Sequence, residues 1–186
     1  MSIEIEAKAE NRRLNSLVAI TVVIVSVFLA ISKLKDDNLV RGMEFVKADS
    51  VDVWNEYQSE RIKLHNDENA VALLGVVKSE NPQVLAAEKA RLEKQIAKYT
   101  AQSSVLAAKA KASDAQYEAM NYRHDQFDVE DGVLSITLAL TAVAALTELV
   151  WLLWVGWGFA GIGIFMGLAG IFSWPVHPEL LTKFLG

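Results

Sequence analysis

Two strongly apolar stretches, Leu14 to Leu34 and Val133 to Trp174, bracket a charged, alanine-rich middle of about a hundred residues. This partition constrains the fold more than any average does. The chain is 52% hydrophobic and 22% charged, ordinary figures for a soluble domain, but its apolar residues are concentrated at the two ends. From Leu14 to Ile31 the only polar side chains are Asn15, Ser16, Thr21 and Ser26. About 20 such residues, rising 1.5 Å each, cross a hydrocarbon layer of roughly 30 Å. The sequence therefore reads as an integral membrane protein. Lys8, Arg12 and Arg13 precede the first stretch, and no Ala-x-Ala-like site follows Phe28-Leu29-Ala30, so this segment reads as an uncleaved signal anchor.

The second apolar stretch is too long for one crossing, and Glu148 to Trp151 supplies its interruption. Two spans in a tight hairpin follow, expected at 133–148 and 149–174. Trp151, Trp154 and Trp157 mark one membrane face, because indoles favour the headgroup level. Trp174, followed by Pro175 and Pro178, marks the other, since proline cannot continue a helix. The expected order is a tail over 1–13, a span over 14–34, a polar insert over 35–132, the two-span hairpin and a tail over 175–186.

Within the insert the clearest break is Lys78-Ser79-Glu80-Asn81-Pro82, with a tip expected at 79–83. Before it, Leu39, Val46, Val53 and Leu74 fall on one sevenfold series, and Met43, Tyr57, Leu64 and Val71 on its companion. Ser50, Glu60, Asp67 and Lys78 are polar exceptions. After it, the series Leu85, Leu92, Tyr99, Leu106, Ser113, Met120, Phe127 is apolar in all but Ser113. Two arms of about 45 residues each span on the order of 65 Å at helical rise, which predicts an antiparallel hairpin in which paired residue numbers add to 161–164. Trp54 is expected beside Ala107 and Ala108. Trp54, Tyr57, Leu92, Tyr99, Leu106, Met120 and Phe127 are the expected packing residues of this stalk. The fold class is thus all-α: three spans with a long coiled-coil-like hairpin between the first and second.

The sharpest spacing is Gly156, Ala160, Gly163, Gly167 and Gly170, four and three residues apart in alternation. Small residues let helix backbones meet in lipid, where the hydrophobic effect does not drive association. Ser135, Ala139 and Ala142 offer a similar face on the second span. These faces are read first as packing within the two-span hairpin and second as packing between protomers.

Glu148 is the only acid in the apolar C-terminal block, and its place at the expected turn makes it a headgroup-level cap rather than a proton relay. His124, Asp125, Asp128, Glu130 and Asp131 cluster just before the second span, and the hairpin brings Asp36 and Asp37 near them. His124 and Asp128 share a helix face as metal ligands require, but no second nearby histidine completes a transition-metal set. The preferred reading is a solvated acidic collar whose carboxylates attract calcium or magnesium weakly. His65 and His177 are isolated.

Other chemistry is excluded by what the sequence lacks. There is no cysteine, so disulfides, thiolate metal sites and thiol nucleophiles are out. A formal charge of −5 with no basic run beyond Arg12-Arg13 argues against nucleic acid. No Gly-x-Ser-x-Gly, His-Glu-x-x-His or phosphate-binding glycine loop is present, so no enzymatic activity and no cofactor are expected.

Val53-Trp54-Asn55-Glu56-Tyr57-Gln58 through Ile62-Lys63, with Lys47-Ala48-Asp49 before it, is one familiar stretch. His124-Asp125-Gln126-Phe127-Asp128 leading to Trp151-Leu152-Leu153-Trp154 is the other. Together with the order of elements they resemble the bacterial family known as domain of unknown function 4337, over nearly the whole chain. The resemblance implies a bacterial inner-membrane protein and supplies no activity. Family members tend to carry basic residues at the turn between the last two spans, where this chain reads Thr147-Glu148-Leu149-Val150.

Lys8, Arg12 and Arg13 before the first span balance Lys33, Lys35 and Arg41 after it, so basic residues do not set orientation. The signal-anchor form and the resemblance favour a cytoplasmic N-terminus with a periplasmic hairpin and C-terminus. The expected function is that of a non-enzymatic structural protein, either a homo-oligomer or an accessory subunit of a larger membrane complex, with the lipid bilayer as its other partner. The alternative is an ion-conducting or energy-transducing oligomer, since the layout resembles the proton-driven, ExbB-like motor proteins. That reading needs Ser135, Thr137, Thr141 and Thr147 as a polar pore face.

Overall fold

A computed structural model describes the backbone of residues 2–78 and 81–176 and the side chains from Arg12 onward. The expectations placed on Lys8, Ser79, Glu80, His177, Pro178 and the tail beyond lie outside the described residues. Three helices and no strand are present among those described. They are α1 (Ser2–Leu74), α2 (Pro82–Thr147) and α3 (Val150–Phe172). No proline occurs before Pro82, so nothing in the chain forces α1 to stop where apolar sequence gives way to polar.

The start of α2 has a clear local cause. Asn81 Oδ1 accepts from the Val84 N–H at 3.4 Å, and the Asn81 carbonyl accepts the Leu85 N–H at 3.3 Å, which makes Asn81 the N-cap. Pro82 then fills the first helical position, where its missing N–H costs no bond. Only Glu148 and Leu149 separate α2 from α3, a narrower interruption than the expected 148–151. Glu148 takes a left-handed conformation (φ 60°) and Leu149 an extended one. α3 ends at Ser173, also left-handed, with the Trp174 N–H bonded to the Ala169 carbonyl at 2.9 Å in the six-to-one pattern that closes many helices.

The chain divides into two compact units, residues 1–42 with 119–186, and residues 43–118. In the first unit the three apolar segments pack on one another. Leu14, Ala144 and Leu153 form one buried layer with Val18, Leu152 and Trp157. Val25, Leu134 and Ala160 form a second with Phe28, Leu29, Leu138 and Ile164. Leu17, Ile20, Ile24, Val27 and Ile31 point outward along α1, so this unit is apolar outside as well as inside. All three helices are long and apolar enough to cross a membrane.

The second unit is an antiparallel helix pair. The expected seam is its interior: Val46, Val53 and Leu64 are buried on α1, as are Leu92, Ser103 and Ala110 on α2. Asp49 meets Ser113, Lys63 lies over the Tyr99 ring and Lys47 over the Tyr117 ring, all within the expected register. Ser50, a polar exception in the seam, is buried because its hydroxyl donates to Asp114 at 2.6 Å. The Trp54 indole reaches along α2 beyond Ala107 and Ala108. Its indole N–H donates to the other Asp114 oxygen at 3.1 Å, and its ring meets Tyr57 edge-on at 5.4 Å. One carboxylate thus gathers two residues of the facing helix, and those bonds hold its pKa below the ordinary aspartate range.

Candidate functional site

Polar chemistry in the first unit is concentrated where residues 32–37 of α1, 123–131 of α2 and the end of α3 come together. Asp36 is 3% exposed, and the His124 Nδ1–H donates to its Oδ1 at 2.6 Å. With Nδ1 so engaged, Nε2 faces Asp128 Oδ2 at 3.7 Å. Lys33 Nζ lies 3.3 Å from Asp36 Oδ2 and 3.9 Å from Asp37. One ligand-type atom from each of Asp36, His124 and Asp128 fits within a sphere that a metal ion could occupy, all within 4.8 Å of one another.

The expected solvated collar is therefore only half solvated. Asp128 and Asp131 are exposed, whereas Asp36 and Glu130 are withdrawn from water. Glu130 is 1% exposed, and the hydroxyl of Ser32 on α1 is the donor that acts on its carboxyl. Ser32, Asp36, Asp128, Glu130 and Asp131 line one recess. Glu130 reaches this depth because position 167 has no side chain: a Cβ there would collide with the Glu130 carboxyl and with Phe28.

Next to the recess, α2 closes the end of α3. The Arg123 guanidinium donates twice to the Gly170 carbonyl, at 3.2 and 3.3 Å, satisfying a last-turn carbonyl at the negative end of the helix. Gln126 Nε2 donates to the Trp174 and Val176 carbonyls at 3.0 and 2.8 Å. Phe127 covers Gly170, where an added Cβ would meet its ring at 2.9 Å. Phe127 thus belongs to the first unit and not to the stalk, because the sevenfold series runs on past residue 118 into a part of α2 that faces α3 as well. Met120 also falls in the first unit, but its terminal methyl seats against Gly42 of α1, a pairing within the expected hairpin register.

The small-residue face of α3 packs within the chain. Gly156 lies against Leu140 and Thr141, Ala160 in the Val25 and Leu134 layer, and Gly163 under Leu134. On α2 the facing residues are Leu134, Thr137, Thr141 and Ala144, all fully buried. Ser135, Ala139 and Ala142 are exposed and point away, which corrects their expected part in this contact. Small side chains are accepted on either side of a helix in lipid, so their spacing alone does not choose the face. The four polar residues needed for a pore face do not share one. Thr137 donates to the Val133 and Gly156 carbonyls and Thr141 to the Thr137 carbonyl, inside the bundle, while Ser135 and Thr147 lie outside it. Glu148 sits in the exposed turn. Trp151 and Trp154 beside it are exposed, and the Trp157 indole N–H donates to Thr21 at 2.9 Å.

Three helices long and apolar enough to cross a membrane, together with a polar antiparallel hairpin, make an all-helical fold compatible with the multi-pass membrane class. The family described as Domain of unknown function (DUF4337) matches residues 14–173, and the chain belongs to that family. No curated protein and no solved structure matches it.

Proposed function

We propose that this is a non-enzymatic structural protein of the bacterial inner membrane that self-associates through its helical hairpin. One observation carries the reading. On the face of α1 turned away from α2, Val51, Asn55, Gln58, Ile62, Asn66, Asn69 and Leu73 follow one another at spacings of four and three, and all are exposed. The stripe holds no charge, although the helix around it is dense in Glu, Asp, Lys and Arg. Ile62 is 62% exposed at its centre. Val, Ile and Leu interspersed with uncharged Asn and Gln make a coiled-coil seam of modest affinity and defined register. A second copy of the chain supplies the complementary stripe.

The N-terminus is assigned to the cytoplasm and the hairpin to the periplasm, on the signal-anchor form of the first span and the family resemblance. A role as accessory subunit of a larger membrane complex uses the same stripe with a different occupant. The chain has no cysteine, so a single Ile62→Cys variant reports this contact cleanly. Oxidation in native membranes is expected to yield a crosslinked dimer, and Ile62→Lys to lower the mass measured in mild detergent to that of a monomer. A monomeric wild-type mass, with Ile62→Cys crosslinking no better than Lys94→Cys on α2, would sink the proposal.

A further inference from the structure

We infer, resting on the self-association proposed above, that the hairpin tip carrying Leu73, Val76, Val77 and Val84 is a second contact surface, covered by the tip of another copy lying parallel and in register. Backbone bonds fix the turn at the end of α1. The Gly75 N–H is shared between the Val71 and Ala72 carbonyls at 3.1 and 3.2 Å, and the Val76 N–H donates to the Leu73 carbonyl at 3.1 Å. The side chains on this ordered backbone are nevertheless bare. Val76 is 79% exposed, and Leu73, Val77 and Val84 are all more than half exposed. Charge is withheld from the same end: residues 69–77 and 81–87 carry none, whereas ten charged residues fall between Glu44 and Glu68. Exposed apolar residues scattered singly are ordinary, but a group of them at one end of a charged hairpin marks a contact.

The occupant follows from what the tip lacks and what it adjoins. Elements that enter a lipid surface carry aromatic anchors and clustered bases. Residues 69–87 hold no aromatic residue and a single base, Lys78, which argues against a bilayer. Leu73 is also the last residue of the uncharged α1 stripe, so the tip continues the surface already assigned to a second copy. Copies inserted the same way send their hairpins off on the same side of the bilayer, and their α1 helices run parallel. A two-fold axis along the stripe then sets each residue against itself. Asn55, Asn66 and Asn69 meet their own kind, each amide offering the other both a donor and an acceptor, and the tips close on one another. An antiparallel pair centred on Ile62 also matches uncharged residues, Asn55 with Asn69 and Val51 with Leu73. It places Val76 and Val77 against Ala48 and Lys47, however, in the charged part of the helix. Only the parallel arrangement covers stripe and tip together.

The test is disulfide formation by the full chain in native membranes. Ile62→Cys, Asn55→Cys and Val76→Cys are each expected to link to a second copy of themselves on mild oxidation. Copies bearing Asn55→Cys and Asn69→Cys, expressed together with tags of different size, are expected to give no mixed dimer. Val76→Asp added to the Ile62→Cys chain is expected to lower its crosslinking about fivefold or more, since the new carboxylate would be buried unpaired, whereas Ser104→Asp on α2 leaves it unchanged. All these positions are exposed, so the variants fold, and helicity by circular dichroism checks them. Failure of both Ile62→Cys and Val76→Cys to crosslink removes the self-association itself and the tip contact with it. Crosslinking of Ile62→Cys with none of Val76→Cys, or with a mixed Asn55→Cys and Asn69→Cys dimer, leaves the stripe contact standing and overturns the parallel tip. So does Val76→Cys linking to a different protein, or a dye attached there entering added lipid vesicles.

Discussion

Gly163 lies under Leu134 so closely that a methyl group built on residue 163 would come within 2.6 Å of Leu134 Cδ2 and 2.7 Å of its Cγ. Leu134 is fully buried and has no free direction in which to retreat. At Gly156, in the same small-residue face, the nearest neighbours of an added methyl are 3.6 and 3.7 Å away, ordinary contact. Gly163→Ala is therefore expected to destabilise the bundle by about 1–3 kcal/mol, the usual cost of overpacking, and Gly156→Ala to leave it nearly unchanged. Thermal unfolding of the two variants in detergent, followed by circular dichroism, checks the difference. Equal midpoints would mean that α2 and α3 do not meet at Gly163.

Removing Gln126 should loosen the end of α3. The Gln126→Ala variant loses both bonds to the Trp174 and Val176 carbonyls, about 1–3 kcal/mol for hydrogen bonds at a buried site. Faster hydrogen exchange and proteolytic cleavage at residues 173–176 are expected, with little change around Val150. Unaltered protection there would show that the packing of Trp174 against Phe172 and Phe165 suffices to hold the segment.

Asp114 makes the hairpin acid-sensitive. Its pKa is lowered by the Ser50 hydroxyl and the Trp54 indole, so the folded state binds its proton less readily than the unfolded chain does. The resulting stability is fully present above the unfolded aspartate value of about 3.9 and is lost as pH falls through the lower folded value. Asp114→Ala should be less stable than wild type at neutral pH, and the gap should close below about pH 4. Unfolding midpoints of the full chain across pH 2–7 provide the comparison, and a gap independent of pH would count against the two bonds.

The Trp157 to Thr21 bond ties α3 to α1 within the apolar layer. Trp157→Phe is expected to cost about 0.6 kcal/mol, the average for interhelical bonds in a bilayer. Thr21→Val should cost at least as much, since it also loses the hydroxyl's bond to the Leu17 carbonyl, and the double variant no more than Thr21→Val alone. Additive losses in that cycle would mean that the two side chains do not interact.

Several of these features were legible in the sequence because they are periodic. The sevenfold series brought out the hairpin interior from Val46 to Leu64 and from Leu92 to Ala110, and the symmetry of the break at Pro82 set which residues face one another. The turn after Thr147 could be placed because Glu148 interrupts an otherwise apolar run. What escaped depends on which side of a helix is covered. Nothing local distinguishes Glu130, which is buried, from Asp131, which is not. The cue was Gly167, a bare position 37 residues further on, and its meaning requires knowing that α3 folds back beside residue 130. Arg123 and Gln126 escaped for the same reason, since their partners are backbone carbonyls that no side-chain pattern announces. Phe127 was misassigned because a heptad series continues unbroken while the neighbouring helices change.

The clamp on α3 also bears on how the chain is made. Arg123 and Gln126 leave the ribosome 47 to 50 residues ahead of the carbonyls they bind. Through that interval the buried Gln126 amide has neither of its acceptors, and the glycine surface that receives Leu134 and Phe127 does not yet exist. The apolar part of α2 must therefore wait with its polar edge uncovered. Closure can come only after Val176 has been synthesised, which makes the last span a completion step in biogenesis rather than a passive addition to a finished fold.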